Sequence, residues 1–273
     1  MPAHQLRQQQ RPGRPMLGGS PTSFTAADPK PDATIAPLTN PASFSVVRDH
    51  GAKTVPGGTM ARVDEEIAGR GLSEADVECE LATIQSLIDD AQIAVRVTVE
   101  ALTGILRGRR FKTTHTTGTS GGLVNADDRT VTETQLFGEH EHHPVYAYLT
   151  TDDDRGGPGS TAMYGGIKVV LRNAVRDRST VSSEDSLNMG VLPSPATAVD
   201  RYSFRWQHPG TSEYAASMIT GVATGNAYAY FEAQVHGGVT VDDIDEVLVP
   251  DGVDPGTVAR WAAAAPTVRF RTG

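Results

Sequence analysis

Between residues 77 and 88 the apolar positions Val77, Leu81, Ile84 and Ile88 recur at helical spacing. Ser73-Glu74-Ala75-Asp76, just ahead of them, resembles a capping box with Asp in the place usually taken by Glu, so a helix is predicted to begin near Ser73. The period then shortens to two: Ile93, Val95, Val97 and Val99 predict a strand, while Ala101 to Leu106 also reads as helix. From Arg110 onward short β-prone runs alternate with Gly-rich and acidic turns. The predicted strands are Phe111–Thr117, Val145–Thr150, Ile167–Leu171, Arg178–Ser183, Ala227–His236, Asp245–Val249 and Thr267–Phe270. In the fifth of these, Phe231, Ala233 and Val235 share one face, and Tyr230, Glu232 and Gln234 the other. Short helices are predicted at Tyr214–Thr220 and Thr257–Ala264. Helices ahead of a set of strands make the fold class α+β rather than alternating βαβ units.

Residues 1–57 carry no such pattern. They are rich in Pro, Gly, Ser, Thr and Gln, begin basic at Arg7, Arg11 and Arg14, and have no acid before Asp28. Too little apolar surface is present to offset ordering entropy, so a disordered tail is expected, with 58–273 forming one α+β domain. The chain is 38% hydrophobic, enough for a core, and its net charge of −9 argues against general nucleic-acid binding. No run of about 18 apolar residues suggests a membrane span, and no apolar leader marks secretion. A cytoplasmic location, or delivery without a secretory signal, is therefore expected. Cys79 is the single cysteine; it has no internal disulfide partner and alone makes no zinc site.

The segment Phe231-Glu232-Ala233-Gln234-Val235-His236-Gly237-Gly238 is the one most suggestive of chemistry. A carboxylate on a mid-chain strand beside Gln and two glycines is costly to bury unless it is hydrogen-bonded or functional; the alternative is a solvent-facing strand residue. Together with Asp243-Ile244 and Glu246-Val247-Leu248-Val249, it resembles the last catalytic strand and the following strand of the ADP-ribosyltransferase superfamily. Upstream, four pieces are similar to a bacterial family catalogued only as a domain of unknown function: Arg110-Phe111-Lys112-Thr113, Thr117-Gly118-Thr119-Ser120-Gly121-Gly122, Tyr164-Gly165, and Arg178-Ser179-Thr180-Val181 leading to Asp185-Ser186. The resemblance runs from about Ala94 to Val249.

The resemblance implies a mostly antiparallel, split β-sheet core and an NAD-dependent mono-ADP-ribosyltransferase of toxin or effector type, with NAD glycohydrolase activity as a close relative. NAD is then a substrate. The acceptor is left open among a protein, which the resemblance favours, a nucleic acid and a small molecule, and an immunity or delivery partner is a further expectation. Glu232 would stabilise the oxocarbenium-like transition state and help deprotonate the acceptor. Arg110 would hold phosphate or ribose. Ser182, Ser183 or Ser186 would supply the Ser/Thr element, and the backbone of Gly118–Gly122 would approach the dinucleotide. Thr117, Gly118, Ser120, Gly121, Ser183, Ser186 and Gln234 thus join Arg110 as expected NAD-binding residues. His115 is a second candidate for the basic role. The order Glu232 then Gln234 departs from the arginine-directed signature, in which the second residue of the pair is the Glu.

Other constellations compete. Glu139-His140-Glu141-His142-His143 invites a metal-dependent hydrolase built on His140, His142 and His143, although the spacing is not H-E-x-x-H; the leading reading assigns no metal ligands. Tyr202, Phe204 and Trp206 offer either a stacking face for nicotinamide or an ordinary strand core face. A non-enzymatic interaction domain is the third reading. No G-x-G-x-x-G between strand and helix, no P-loop and no G-x-S-x-G occurs, which disfavours Rossmann dehydrogenases, P-loop NTPases and α/β-hydrolases.

Overall fold

A computed structural model describes residues 58–120, 124–138, 143–151, 159–188, 190–207, 210–221 and 230–272. The tail reading of 1–57 therefore lies outside the described residues, as do Gly121, His140 and His142.

Two helices lead in: α1 (Thr59–Gly69) and α2 (Glu74–Asp90). Ser73 and Asp76 form the reciprocal capping box at the start of α2, which buries Val77, Ile84 and Ile88. Strand β1 (Gln92–Val97) follows, and Val99 opens α3 (Val99–Gly108) instead of extending the strand, because the Thr98 hydroxyl caps it through Ala101 N. The predicted strand Phe111–Thr117 is instead a coil and the one-turn helix α4 (Thr114–Thr117). Here the Thr117 hydroxyl bonds the Thr113 carbonyl, a local contact that competes with strand pairing, and Gly118 stops the turn at φ +81°. A two-strand ribbon, β2 (Thr119–Ser120) with β3 (Val124–Asn125), precedes α5 (Ala126–Phe137).

The remaining elements are β4 (Val145–Thr150), β5 (Ile167–Leu171), β6 (Ser179–Ser182), β7 (Ser194–Pro195), α6 (Thr211–Thr220), β8 (Glu232–Val235), β9 (Ile244–Val249), α7 (Pro255–Ala264) and β10 (Arg269–Thr272). Helices and strands are thus interleaved rather than segregated. The eight long-range strands form one continuous sheet in the order β10-β9-β5-β1-β4-β8-β6-β7. The split core expected from the resemblance is not present: β1 pairs with both β4 and β5 and closes the gap. The sheet is mixed, since β9 and β10 run parallel while the other neighbours are antiparallel.

The register sorts the side chains by face. Ile93, Leu149, Ala147, Val169, Ala233 and Val181 fall on one side and join the main apolar core with α2, Phe204, Trp206 and Phe231. Arg96, Lys168, Tyr148, Tyr146, Glu232, Gln234, Thr180 and Ser182 fall on the other. Tyr202, Phe204 and Trp206 do not lie on a strand; Tyr202 sits in a 3-10 turn at Arg201–Ser203, Phe204 and Trp206 follow it, and Trp206 Nε1 donates to the Arg201 carbonyl.

Gly165 begins the approach to β5 at φ +141°, and a Cβ there would sit 2.2 Å from both the carbonyl carbon and oxygen of Val97. Since the obstruction is backbone, Gly165→Ala is expected to cost roughly 3 kcal/mol. Denaturant unfolding checks this against Gly104→Ala in α3, where a Cβ meets nothing within 4 Å and helix propensity favours Ala by about 1 kcal/mol.

Candidate active site

The polar face of the sheet is not solvated. Glu232 is 1% exposed and lines a cleft of about 670 Å³, which it shares with Arg96, Tyr146, Tyr148, Tyr164 and Tyr230. The solvent-facing alternative for Glu232 therefore fails. In the sheet Glu232 sits between Tyr148 of β4 and Ser182 of β6. Its Oε1 accepts from Ser186 N–H at 3.1 Å and Gln234 Nε2 at 2.7 Å, and its Oε2 from the Tyr230 hydroxyl at 3.2 Å.

A relay fixes the orientation of Gln234. The Thr180 hydroxyl donates to Gln234 Oε1 at 2.7 Å and lies 3.0 Å from His236 Nε2. The amide nitrogen is thereby turned toward Glu232, with Ser182 Oγ 3.4 Å away. The turn after β8 is fastened by Arg178, which donates to the carbonyls of His236 and Gly238 and pairs with Asp243. The carboxylate is thus held on a rigid element by donors that are themselves held.

Opposing it is Arg129, supplied by α5 and also 1% exposed. Its guanidinium lies 3.7 Å over the Tyr146 ring, donates to Ser186 Oγ at 3.1 Å and stands 3.9 Å from Asp185. Its Nε has no hydrogen-bond partner among the described residues, and Arg129 lines the cleft. Burial pushes the Glu232 carboxyl up to about 7; Asp185 adds to the rise, while Arg129 and the Ser186 and Gln234 hydrogen bonds oppose it. Burial works against the Arg129 charge, yet Glu232, Tyr146 and Asp185 together hold its pKa above the usual arginine range.

The expected residues divide. Glu232, Gln234, Ser186 and Ser182 meet at one point. Arg110 and Thr117 line the same cleft, joined by Lys112. Gly118 caps α4 and Ser120 lies in β2. Ser183 stands one residue past β6; its amide bonds the Ser203 carbonyl, and its buried hydroxyl has no partner among the described residues. His115, on α4 rather than a strand, contacts Glu133 instead of Glu232. Arg109 caps α3 in the left-handed conformation and pairs with Asp242.

Sequence reasoning missed Arg129 and Glu133 because α5 buries Arg129, Thr132 and Glu133 beside Leu136 and Phe137, which erases the apolar stripe. A signal was present: Asn125 caps α5 through Asp128 N, and Asp127 and Asp128 occupy its first turn.

Among known proteins, the Gene 2 protein of Mycobacterium phage L5 is 28% identical over 163 residues, which is 55% of this chain and 62% of that protein. The Gene 2 protein of Mycobacterium phage D29 is 28% identical over 192 residues, covering 64% and 73%. The chain thus spans less than two thirds of the phage L5 relative. No protein family matches by sequence profile. A solved structure of Thermosipho africanus DarTG in complex with ADP-ribose aligns at TM-score 0.39 and 9% identity, over 66% of this chain and 49% of that one. No helix among the described residues is long and apolar enough to cross a membrane.

Proposed function

We propose that the chain is an NAD-dependent mono-ADP-ribosyltransferase in which Glu232 is the catalytic carboxylate. The observation that carries this reading is the buried Glu232, fixed by Ser186, Gln234 and Tyr230, on the wall of a cleft that also presents Arg110, Lys112 and Arg129. Such a cleft suits a ligand with a diphosphate at one end and a centre of developing positive charge at the other. The bond between C1′ of the ribose and the nicotinamide nitrogen breaks, and its electron pair leaves with nicotinamide. Positive charge spreads over C1′ and the ring oxygen, where a preorganised anion in a water-poor site is most effective. The acceptor then attacks C1′ and passes its proton to Glu232. Arg110 and Lys112 meet the diphosphate, and the tyrosines of the cleft flank the rings. Arg129 keeps Glu232 ionisable, and its unsatisfied Nε is a donor for the substrate.

Incubation of the full chain with labelled NAD and a cell lysate tests the reading. Label transferred to macromolecules is expected; free nicotinamide without labelled product assigns water as the acceptor. No NAD consumption across acceptor-rich lysates overturns the proposal.

Because only the ionised carboxylate stabilises a cation, a carboxyl raised to about 7 sets the acid limb of the activity. kcat/KM is expected to rise roughly tenfold per pH unit up to about 7 and then flatten. A plateau extending down to pH 5 would mean that Glu232 is not the group required in its ionised form.

A further inference from the structure

We infer that His115, Glu133 and His143 form a binding site for a divalent metal ion of the zinc class, set against the wall of the cleft. The three residues come from α4, α5 and the segment entering β4, so the site closes only in the folded chain. His115 Nε2 lies 3.1 Å and His143 Nδ1 2.5 Å from one atom, Glu133 Oε2. The three candidate ligand atoms lie within 4.8 Å of one another. Their imidazole rings are stacked with centroids 3.3 Å apart and planes 16° off parallel, which directs both nitrogens to the same side.

The outer contacts orient this set as ligands. The Tyr146 hydroxyl donates to Glu133 Oε1 at 2.9 Å, fixing the plane of the carboxylate. Thr130 spends its hydroxyl proton on the Ala126 carbonyl at 2.8 Å, so its oxygen faces His115 Nδ1, 3.5 Å away, as an acceptor. This contact orients the His115 ring with Nε2 toward Glu133 Oε2. His115 Nε2 and His143 Nδ1 thus converge on one oxygen of a carboxylate that is 1% exposed, a point where a cation would be met by three ligand atoms. A metal-bound His whose other nitrogen has its own partner, and a ligating carboxylate that is itself hydrogen-bonded, are the usual support of a metal site.

Two imidazoles and one carboxylate match the donor set of three-ligand zinc sites, which keep a fourth position for water. Tetrahedral bonds of about 2.0–2.2 Å separate neighbouring donors by about 3.3 Å, so the nitrogens need to withdraw from Oε2 by less than about 1 Å. Thr114, Pro144 and Tyr146, each adjacent in sequence or in contact with a ligand, line the cleft. The ion therefore clamps α4, α5 and the entry to β4, the wall that also carries Arg129.

The full chain, stripped with EDTA, is titrated with Zn²⁺ by calorimetry and with Co²⁺ by visible absorption. One ion per chain is expected, with cobalt bands of tetrahedral type, and Zn²⁺ raises the Tm of the stripped protein. His115→Asn and Glu133→Gln each weaken binding by about 100-fold or more, and Thr130→Val, at an exposed position, by about tenfold. His115 is remote in sequence from His140, His142 and His143, so its requirement separates a convergent site from a histidine-rich loop acting alone. If His115→Asn or Glu133→Gln fails to fold by circular dichroism, Thr130→Val decides. Absence of stoichiometric binding, or binding undiminished in the folded variants, overturns the inference.

Discussion

Glu232→Gln is expected to give a folded protein whose transfer activity is reduced by about 10²–10³-fold, the usual cost of losing a preorganised group at a developing charge. The amide has nearly the volume of the carboxylate. Its oxygen still accepts from Ser186 N–H and Gln234 Nε2, and its NH₂ turns to the Tyr230 oxygen. Only the charge is lost, so the fall belongs in kcat, with KM for NAD little changed. Stability moves in the opposite sense. The folded state retains the Glu232 proton up to about 7, whereas the ordinary value is 4.5. Between those two values the folded chain binds more protons than the unfolded one, so wild-type stability falls as pH rises through that window and stays lowered above it. The variant escapes this loss. Its unfolding free energy should exceed that of wild type at pH 8, by an amount on the order of 3 kcal/mol, and match it near pH 4.5. A variant less stable at both pH values, or one with full activity, would contradict the role given to Glu232.

Arg129→Leu is expected to be the most damaging single change among the described residues. It leaves Glu232 and Asp185 without the cation that offsets them and removes the stack over Tyr146. Breaking a buried charge arrangement from one side costs about 3–5 kcal/mol. Arg129→Lys separates charge from geometry: it keeps the cation but loses the planar stack and the fork that reaches Ser186. Since Arg129 lowers the Glu232 pKa, any variant that removes its charge moves the acid limb of the pH profile above 7. Chemical denaturation reads the first effect and kcat/KM against pH the second. A purely structural arginine would change the first and leave the second in place.

Where elements bury an apolar face, their pattern was legible. β4 and β5 occupy the predicted residues, and α2 starts on its predicted cap. α6 and α7 were found from their apolar spacing but begin two or three residues before the predicted start, because Gly210 and Asp254 lead in and the first turn carries little apolar signal. The parity of β8 was also legible, which placed Glu232 and Gln234 together. What covers that face was not. α5 packs arginine, threonine and glutamate inward, so the helix that completes the site has no amphipathic signature. Sequence reasoning looks for a cation near Glu232 among exposed motif residues such as Arg110. The buried Arg129 belongs to a segment for which the apolar pattern predicts no element.

The two borders of the sheet bear on how copies of the chain meet. β7 is two residues long and includes Pro195, which has no amide hydrogen to offer. At the opposite border β10 is largely exposed and sets Arg269 and Arg271 along its length, paired with Asp245 and Glu246 of β9. An incoming strand finds too little ladder at one side and a row of guanidinium groups at the other. Among the described residues, a sheet eight strands wide is thus terminated chemically at both margins, which disfavours strand-to-strand growth when folded chains are crowded together.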